Sequence, residues 1–125
     1  MYNYSIMALD TDHLEEICQD IKEQYRQGVT DCALFCMTLM PEGTPPVPKA
    51  AQFAQKYALF RDKLNAQGIP NGILVQATIG HGYSLNERAP YQYYVNLTDG
   101  KEIDTCCPFD EGFHAYISNV METLA

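Results

Sequence analysis

The amino-acid sequence predicts an α/β fold with parallel strands, on the basis of three observations. Segments typical of strands alternate with segments of helical periodicity, and the strands begin near residues 2, 32 and 72. The second and third strand segments are almost continuously apolar, as in strands that helices cover on both faces. The composition, 46% hydrophobic and 19% charged, is that of a globular chain,. Such alternation with short connections requires parallel pairing and right-handed crossovers.

The first strand and the first helix lie at the start of the chain. Residues 2–9 are mostly apolar or aromatic and lead into the segment 10–12, which carries two aspartates. Asp12 is predicted to cap a helix over about residues 12–27, because Asp12 and Glu15 have the spacing of a capping box,. The apolar residues of this helix recur every three or four positions: Leu14, Ile17, Ile21 and Tyr25,.

The next two strands and the second helix continue the same alternation. Residues 32–40 form an unbroken apolar run, predicted to be a buried strand that ends before a proline-rich loop,. A helix is predicted over about residues 49–67, and a third strand over 72–79. In that third strand Gln76 and Thr78 share one face, which indicates a polar environment near its carboxyl end,.

The last part of the chain contains a long connection and a third helix. Residues 93–96 and 102–105 flank a turn at Asp99-Gly100 and could pair as a small hairpin,. The final helix is predicted to start near Asp110.

Two architectures fit this order, an open doubly wound sheet and a (β/α)8 barrel. Three parallel strands close neither, so the chain is expected to be the first part of a larger α/β unit. For a barrel, we expect the strand order 1-2-3, with the helices over about residues 12–27 and 49–67 on one common face of the sheet.

Charge and cysteine content limit the partners and the compartment. The net charge of −8 disfavours nucleic acid and anionic membrane and suits a neutral or cationic small ligand. No apolar run reaches the length of a membrane span and the amino-terminal segment does not resemble a signal peptide, so a cytoplasmic location is expected. The five cysteines are expected to be free thiols: Cys18, Cys32, Cys36, Cys106 and Cys107,. A strained disulfide between Cys106 and Cys107, or a metal site that these two form with His114, remains an alternative.

Candidate binding residues lie where the predicted strands end, because ligands of parallel sheets bind at the carboxyl ends of the strands. Asp10 follows the first strand, Glu42 the second and His81 the third, where His81 stands between two glycines. The acidic start of the first helix and the lack of a glycine-rich loop disfavour phosphate binding. Glu42 could instead be a solvated loop carboxylate, and His81 could brace its loop. His13 and His114 are interpreted as solvated surface residues.

A cluster of tyrosines in the long connection has two interpretations. These rings could stack on the apolar faces of sugars, or the loop could pack on itself. The residues concerned are Tyr83, Tyr91, Tyr93 and Tyr94.

Several segments resemble the opening third to half of bacterial glycoside-hydrolase-like (β/α)8 barrel proteins. The segments are YSIMALDTDHLEEI, MTLMPEG, ILVQATIGHGY, YVNLTDGKE and CPFDEGFHAYI. The resemblance implies that residues 1–125 are the amino-terminal portion of one such barrel, an incomplete TIM-type barrel made of its first three βα units. It also implies that a small-molecule carbohydrate is the partner and that no cofactor or resident metal is needed. The implied sugar-binding residues are Asp10, Glu42, Gln76 and His81, and Tyr83 of the tyrosine cluster completes the predicted substrate-binding set.

The resemblance assigns no catalytic acid or nucleophile within these residues, since the carboxylates of later strands are absent. We therefore expect a piece of a carbohydrate-active enzyme that is inactive alone and self-associates through its open sheet edges. The alternatives are a metal-dependent hydrolase with Asp10, Asp12 and His81 as ligands, and a small non-enzymatic binding module.

Overall fold

The computed structural model describes residues 1–38, 47–76 and 91–125. These residues divide into two compact units. The first unit comprises Met1–Met37 and Gln52–Val75, and the second comprises Thr38–Ala51 and Gln76–Ala125.

A three-stranded parallel sheet forms the centre of the first unit. Strands β1 (Asn3–Ile6), β2 (Cys32–Thr38) and β3 (Asn71–Gln76) are ordered β1-β2-β3. The register of the parallel pair β1 and β2 places Asn3 opposite Cys32. The predicted strand order is therefore confirmed.

Helix α1 (Leu14–Arg26) connects β1 to β2 and follows one turn of 3-10 helix, Thr11–His13. Its buried residues Cys18 and Ile21 lie on the apolar stripe that the sequence predicts,. The helix ends where the backbone reaches Gly28, whose φ of 70° suits a residue without a Cβ,.

Helix α2 (Val47–Asn65) connects β2 to β3 and packs on the same face of the sheet as α1. Phe35 of β2 contacts the rings of Tyr57 and Phe60, with ring centroids 5.2 Å apart in both pairs. The core also includes Ile21 of α1, which confirms the prediction of a common face. Its buried members are Ile6, Cys18, Ile21, Ala33, Phe35, Tyr57, Phe60, Leu64 and Ile69.

The second unit contains an antiparallel hairpin and the third helix. Strand β4 (Tyr93–Val95) pairs with β5 (Glu102–Cys106), and Tyr93 and Cys106, both buried, face each other in this pair. Helix α3 (Glu111–Leu124) begins after Asp110, whose Oδ1 accepts a hydrogen bond of 2.8 Å from the Phe113 amide.

The prediction of an incomplete (β/α)8 barrel is wrong. After β3, the next described strands form a separate antiparallel sheet instead of adding a parallel strand to the first sheet. A barrel requires each βα unit to extend one continuous parallel sheet. The chain is a small α/β protein with a three-stranded parallel sheet, a two-stranded antiparallel sheet and three described α-helices.

The prediction of free thiols is confirmed for all five cysteines. Cys18, Cys36 and Cys106 are buried, as expected of thiols that pack as small hydrophobes,. Among the helices in the described ranges, none has the length and apolar character needed to span a bilayer.

Candidate functional site

The structure describes only part of the predicted sugar-binding set. Glu42, His81 and Tyr83 lie outside the described residues, and of Gln76 only the backbone, at the end of β3, is described. Asp10 is the member whose side chain the structure places. The predicted convergence of Asp10, Glu42, Gln76 and His81 therefore stays a prediction.

Asp10 lies beyond the carboxyl end of β1, at the entrance of the first helical segment. Its backbone is extended, with φ of −86° and ψ of 97°, and its side chain caps the 3-10 turn. Asp10 Oδ1 accepts a hydrogen bond of 3.0 Å from the Asp12 amide. The prediction that Asp12 caps the helix is thus wrong: the cap lies two residues earlier, because the chain enters the helix through this extra turn,.

His13 forms a pair with Asp10 that the sequence interpretation missed. His13 Nδ1 lies 2.7 Å from Asp10 Oδ2, and with the proton on Nδ1 the imidazole donates to the carboxylate. The side chains of His13 and Asp10 are 59% and 47% exposed, so solvent and ligands reach both. The signal in the sequence was the three-residue spacing, which brings two side chains together across one helical turn.

The pair is electrostatically coupled. The hydrogen bond from His13 holds the pKa of Asp10 below its usual value. The same hydrogen bond raises the pKa of His13, and the nearby charges of Asp10 and Glu16 raise it further. His13 thus holds its proton more tightly than an isolated imidazole does.

The surroundings of the pair are acidic. Asp12, Glu15 and Glu16 occupy the first helical turns and are exposed. Lys63 of α2 forms an ion pair with Glu15. This concentration of carboxylates supports the expectation that phosphate is disfavoured here.

The tyrosines of the second unit divide into packed and exposed rings. Tyr91 lies 5.8 Å from Phe113 and 6.0 Å from Tyr116 between ring centroids, and Tyr93 is buried. Tyr94 is 38% exposed. For Tyr91 and Tyr93 the structure favours the interpretation that the loop packs on itself.

A groove of about 280 Å³ opens beside the start of α3 in the second unit. Its lining is mostly apolar and contains none of the predicted sugar-binding residues: Pro108, Phe113, His114, Ile117 and Ser118. His114 is exposed at this groove, which agrees with its interpretation as a surface residue.

In the described ranges, no three His, Cys, Asp or Glu side chains are grouped in a way that could hold a metal ion. The alternative ligand set of Asp10, Asp12 and His81 falls partly outside those ranges, so it stays a prediction.

Compared with protein-family models, with curated proteins and with solved structures, the chain shows no significant match. The likeness to glycoside-hydrolase-like barrels therefore has no support from these comparisons, and the geometry of the candidate site carries the functional argument.

Chemically, the Asp10–His13 pair offers one anionic acceptor and one imidazole edge. A carboxylate has about four lone-pair positions, and the Asp10 carboxylate is engaged by the Asp12 amide, the His13 ring and the His13 backbone,. The pairing through Nδ1 leaves His13 Nε2 as a second polar atom for a ligand, and the carboxylate fixes the orientation of the ring,.

Proposed function

We propose that the chain is a non-enzymatic binding module that holds a small polyhydroxylated ligand, of the carbohydrate class, at the Asp10–His13 pair. The observation that carries the proposal is the exposed carboxylate–imidazole hydrogen bond at Asp10, four residues past the carboxyl end of β1. That end of a parallel sheet is the common ligand position of α/β proteins.

The charge of the site selects the class of ligand. The chain carries a net charge of −8, and the carboxylates of Asp12 and Glu16 add negative charge near His13, so anionic ligands are repelled,. A sugar is neutral, and its neighbouring hydroxyl groups donate to a carboxylate in the way that Asp10 permits. His13 Nε2 would bond a further hydroxyl group.

The geometry favours binding over hydrolysis. Glycoside hydrolysis uses two carboxyl groups on opposite sides of the scissile bond, about 5–10 Å apart. The pair found here joins a carboxylate to an imidazole, and the nearby carboxylates Asp12, Glu15 and Glu16 lie with it on one continuous segment at the start of α1. The module is therefore proposed to bind its ligand without cleaving it.

We also place the module in the cytoplasm. All five cysteines are free thiols, and unpaired cysteines are typical of proteins from reducing compartments,.

The first prediction tests the ligand class. We expect neutral mono- and disaccharides to shift the His13 ring resonances and the Asp12 amide resonance in an NMR titration. Asp10→Asn removes the charge and weakens binding by roughly tenfold or more, the usual effect of losing a hydrogen bond to a charged group. His13→Gln is expected to weaken binding in the same direction.

The control variant is His114→Gln, which changes an exposed histidine at the groove beside α3. It should bind as the unaltered chain does. If no sugar of the panel shifts His13, or if Asp10→Asn binds as well as the unaltered chain, the proposal is wrong.

A further inference from the structure

Strand β1 lies at an edge of the parallel sheet. In the order β1-β2-β3, β1 pairs with β2, and within the described residues no strand lies on its other side. Asn3 and Ser5 of this edge strand are exposed residues. An open edge presents backbone groups to which another extended chain can bind.

The hydrogen-bonding direction of β1 identifies the open backbone groups. The carbonyl oxygen of Tyr2 accepts a hydrogen bond of 2.7 Å from the Asp31 amide and so points toward β2. The Ala33 amide donates a hydrogen bond to the carbonyl oxygen of Pro70, which precedes β3, so Ala33 points toward β3. The backbone groups of its neighbours in β2 therefore point toward β1. Because these directions alternate along a strand, the amide and carbonyl groups of Asn3 and Ser5 point outward.

Carboxylates lie along β1. At its start, Asp31 Oδ2 accepts a hydrogen bond of 2.6 Å from the Tyr2 amide, and its side chain is 58% exposed. In the middle, the Tyr4 hydroxyl group donates to Asp20 of α1, which is also exposed. Asp31 and Asp20 therefore place negative charge at the start and beside the middle of the edge strand.

Few cations in the described part of this region can neutralise these charges. Lys22 and Arg26 follow Asp20 by two and six residues, about 200° and 240° around the helix, so both lie on another face of α1,. The amino group of Met1 approaches Asp31 at 3.9 Å and competes for that carboxylate alone. Asp20 accepts its hydrogen bond from the uncharged hydroxyl group of Tyr4.

We propose that the open edge of β1 binds an extended, lysine- or arginine-rich segment of another protein as an added strand. The backbone groups of Asn3 and Ser5 supply the strand pairing, and the flanking carboxylates select the basic side chains,. A second copy of this chain suits the edge less well, because two chains of net charge −8 repel each other,. This edge site is separate from the sugar site proposed at the Asp10–His13 pair.

The second prediction tests this edge with two blocked peptides of alternating lysine and valine. One peptide has ordinary amides. The other has the same sequence and charge, but the amides along one edge of the peptide are N-methylated. We expect the first to bind the full chain and to protect the Ser5 amide from hydrogen exchange. The N-methylated peptide should bind at least about tenfold more weakly, since it cannot complete the strand pairing. Binding should weaken as salt is added.

Variants separate the backbone contribution from the charge contribution. Ser5→Pro removes an outward amide and should abolish binding, whereas Ser5→Ala removes the hydroxyl group and should leave binding intact. Asp20→Asn should weaken binding severalfold, because it removes one exposed charge next to the edge. Asp62→Asn removes another exposed carboxylate, which pairs with Arg61 on α2, and should have no effect.

Three results would overturn the proposal. They are failure of the ordinary peptide to bind at low salt, equal binding of the N-methylated peptide, and equal losses in Asp20→Asn and Asp62→Asn. Self-association that protects the Ser5 amide would also overturn it, since a second copy would then be the occupant. These outcomes do not depend on whether the chain binds a sugar, so failure of the sugar proposal would not affect this test.

Discussion

The pairing of Asp10 with His13 shows what single residues reveal in a sequence. The position of Asp10 after the predicted first strand made it a candidate site residue, because ligands of parallel sheets bind at the carboxyl ends of strands. His13 was interpreted as a solvated residue, and it is exposed, yet it shares a hydrogen bond of 2.7 Å with Asp10. Spacing allows such a contact, but only side-chain conformation decides whether it forms. The other predicted site residues depend on segments beyond the described ranges.

The third prediction concerns the pH dependence of this pair. The folded chain raises the pKa of His13 above its usual value of 6.5, chiefly through the hydrogen bond to Asp10. The stabilising contribution is therefore complete below that usual value and is lost as the pH rises through the raised pKa of His13. At the acid end, the contribution is lost as the pH falls through the lowered pKa of Asp10,.

NMR titration of the His13 ring should show a midpoint above 6.5 that decreases in Asp10→Asn. The melting temperature of His13→Gln should lie further below that of the unaltered chain at about pH 5.5 than at about pH 9. The difference will be small, because both side chains are exposed,. A His13 midpoint that Asp10→Asn leaves unchanged would show that the hydrogen bond is not formed in solution.

The helices and strands were predicted more accurately than the site, for reasons that lie in local chemistry. Helix α2 was expected over about residues 49–67 and spans Val47–Asn65, since apolar residues recur along it and Gly68 has a φ of 69° just beyond its end,. The hairpin around Asp99-Gly100 was recognised by its turn residues,. The start of α1 was misplaced, because an extra 3-10 turn precedes it.

The fourth prediction belongs to the hairpin turn. Gly100 has a φ of 68°, and its amide donates a hydrogen bond of 2.8 Å to the carbonyl oxygen of Asn96. Apart from Gly100 and its two chain neighbours, no described residue has an atom within 4 Å of the position that a Cβ would take, so conformation alone opposes a side chain. Gly100→Ala should lower the free energy of unfolding by about 1–2 kcal/mol. Gly100→Asn should lose less, because asparagine tolerates this conformation better.

The free energy of unfolding is measured by urea denaturation, with circular dichroism as the signal. Gly72→Ala serves as the control, since Gly72 lacks a positive φ and a Cβ there would meet the Leu34 side chain at 3.8 Å, an ordinary contact distance. Equal stability of Gly100→Ala and the unaltered chain would mean that the turn relaxes without cost.

At the scale of the whole molecule, local pattern determines less. The βα alternation correctly predicted three parallel strands in the order β1-β2-β3 with two helices on one face. The same alternation is shared by barrels, open sheets and smaller α/β folds, so it did not determine how the chain pairs its strands after β3. The next described strands, β4 and β5, instead pair with each other. The proposed carbohydrate class rests on the net charge of the chain and on the hydrogen-bonding groups of the Asp10–His13 pair.

The last prediction tests whether the parallel sheet and its helices share one core. Phe60 is fully buried and contacts the Phe35 ring of β2, whereas its neighbour Leu59 is 50% exposed on the same helix. Phe60→Ala removes buried apolar surface and leaves a cavity, which should lower the free energy of unfolding by about 3–5 kcal/mol. Leu59→Ala should cost under about 1 kcal/mol, because its side chain already contacts water. The chain has no tryptophan, so circular dichroism or tyrosine fluorescence during urea unfolding is the measurement. Equal losses in the two variants would mean that α2 does not pack on β2 through Phe60, and the common core of α1, α2 and the sheet would be refuted with it.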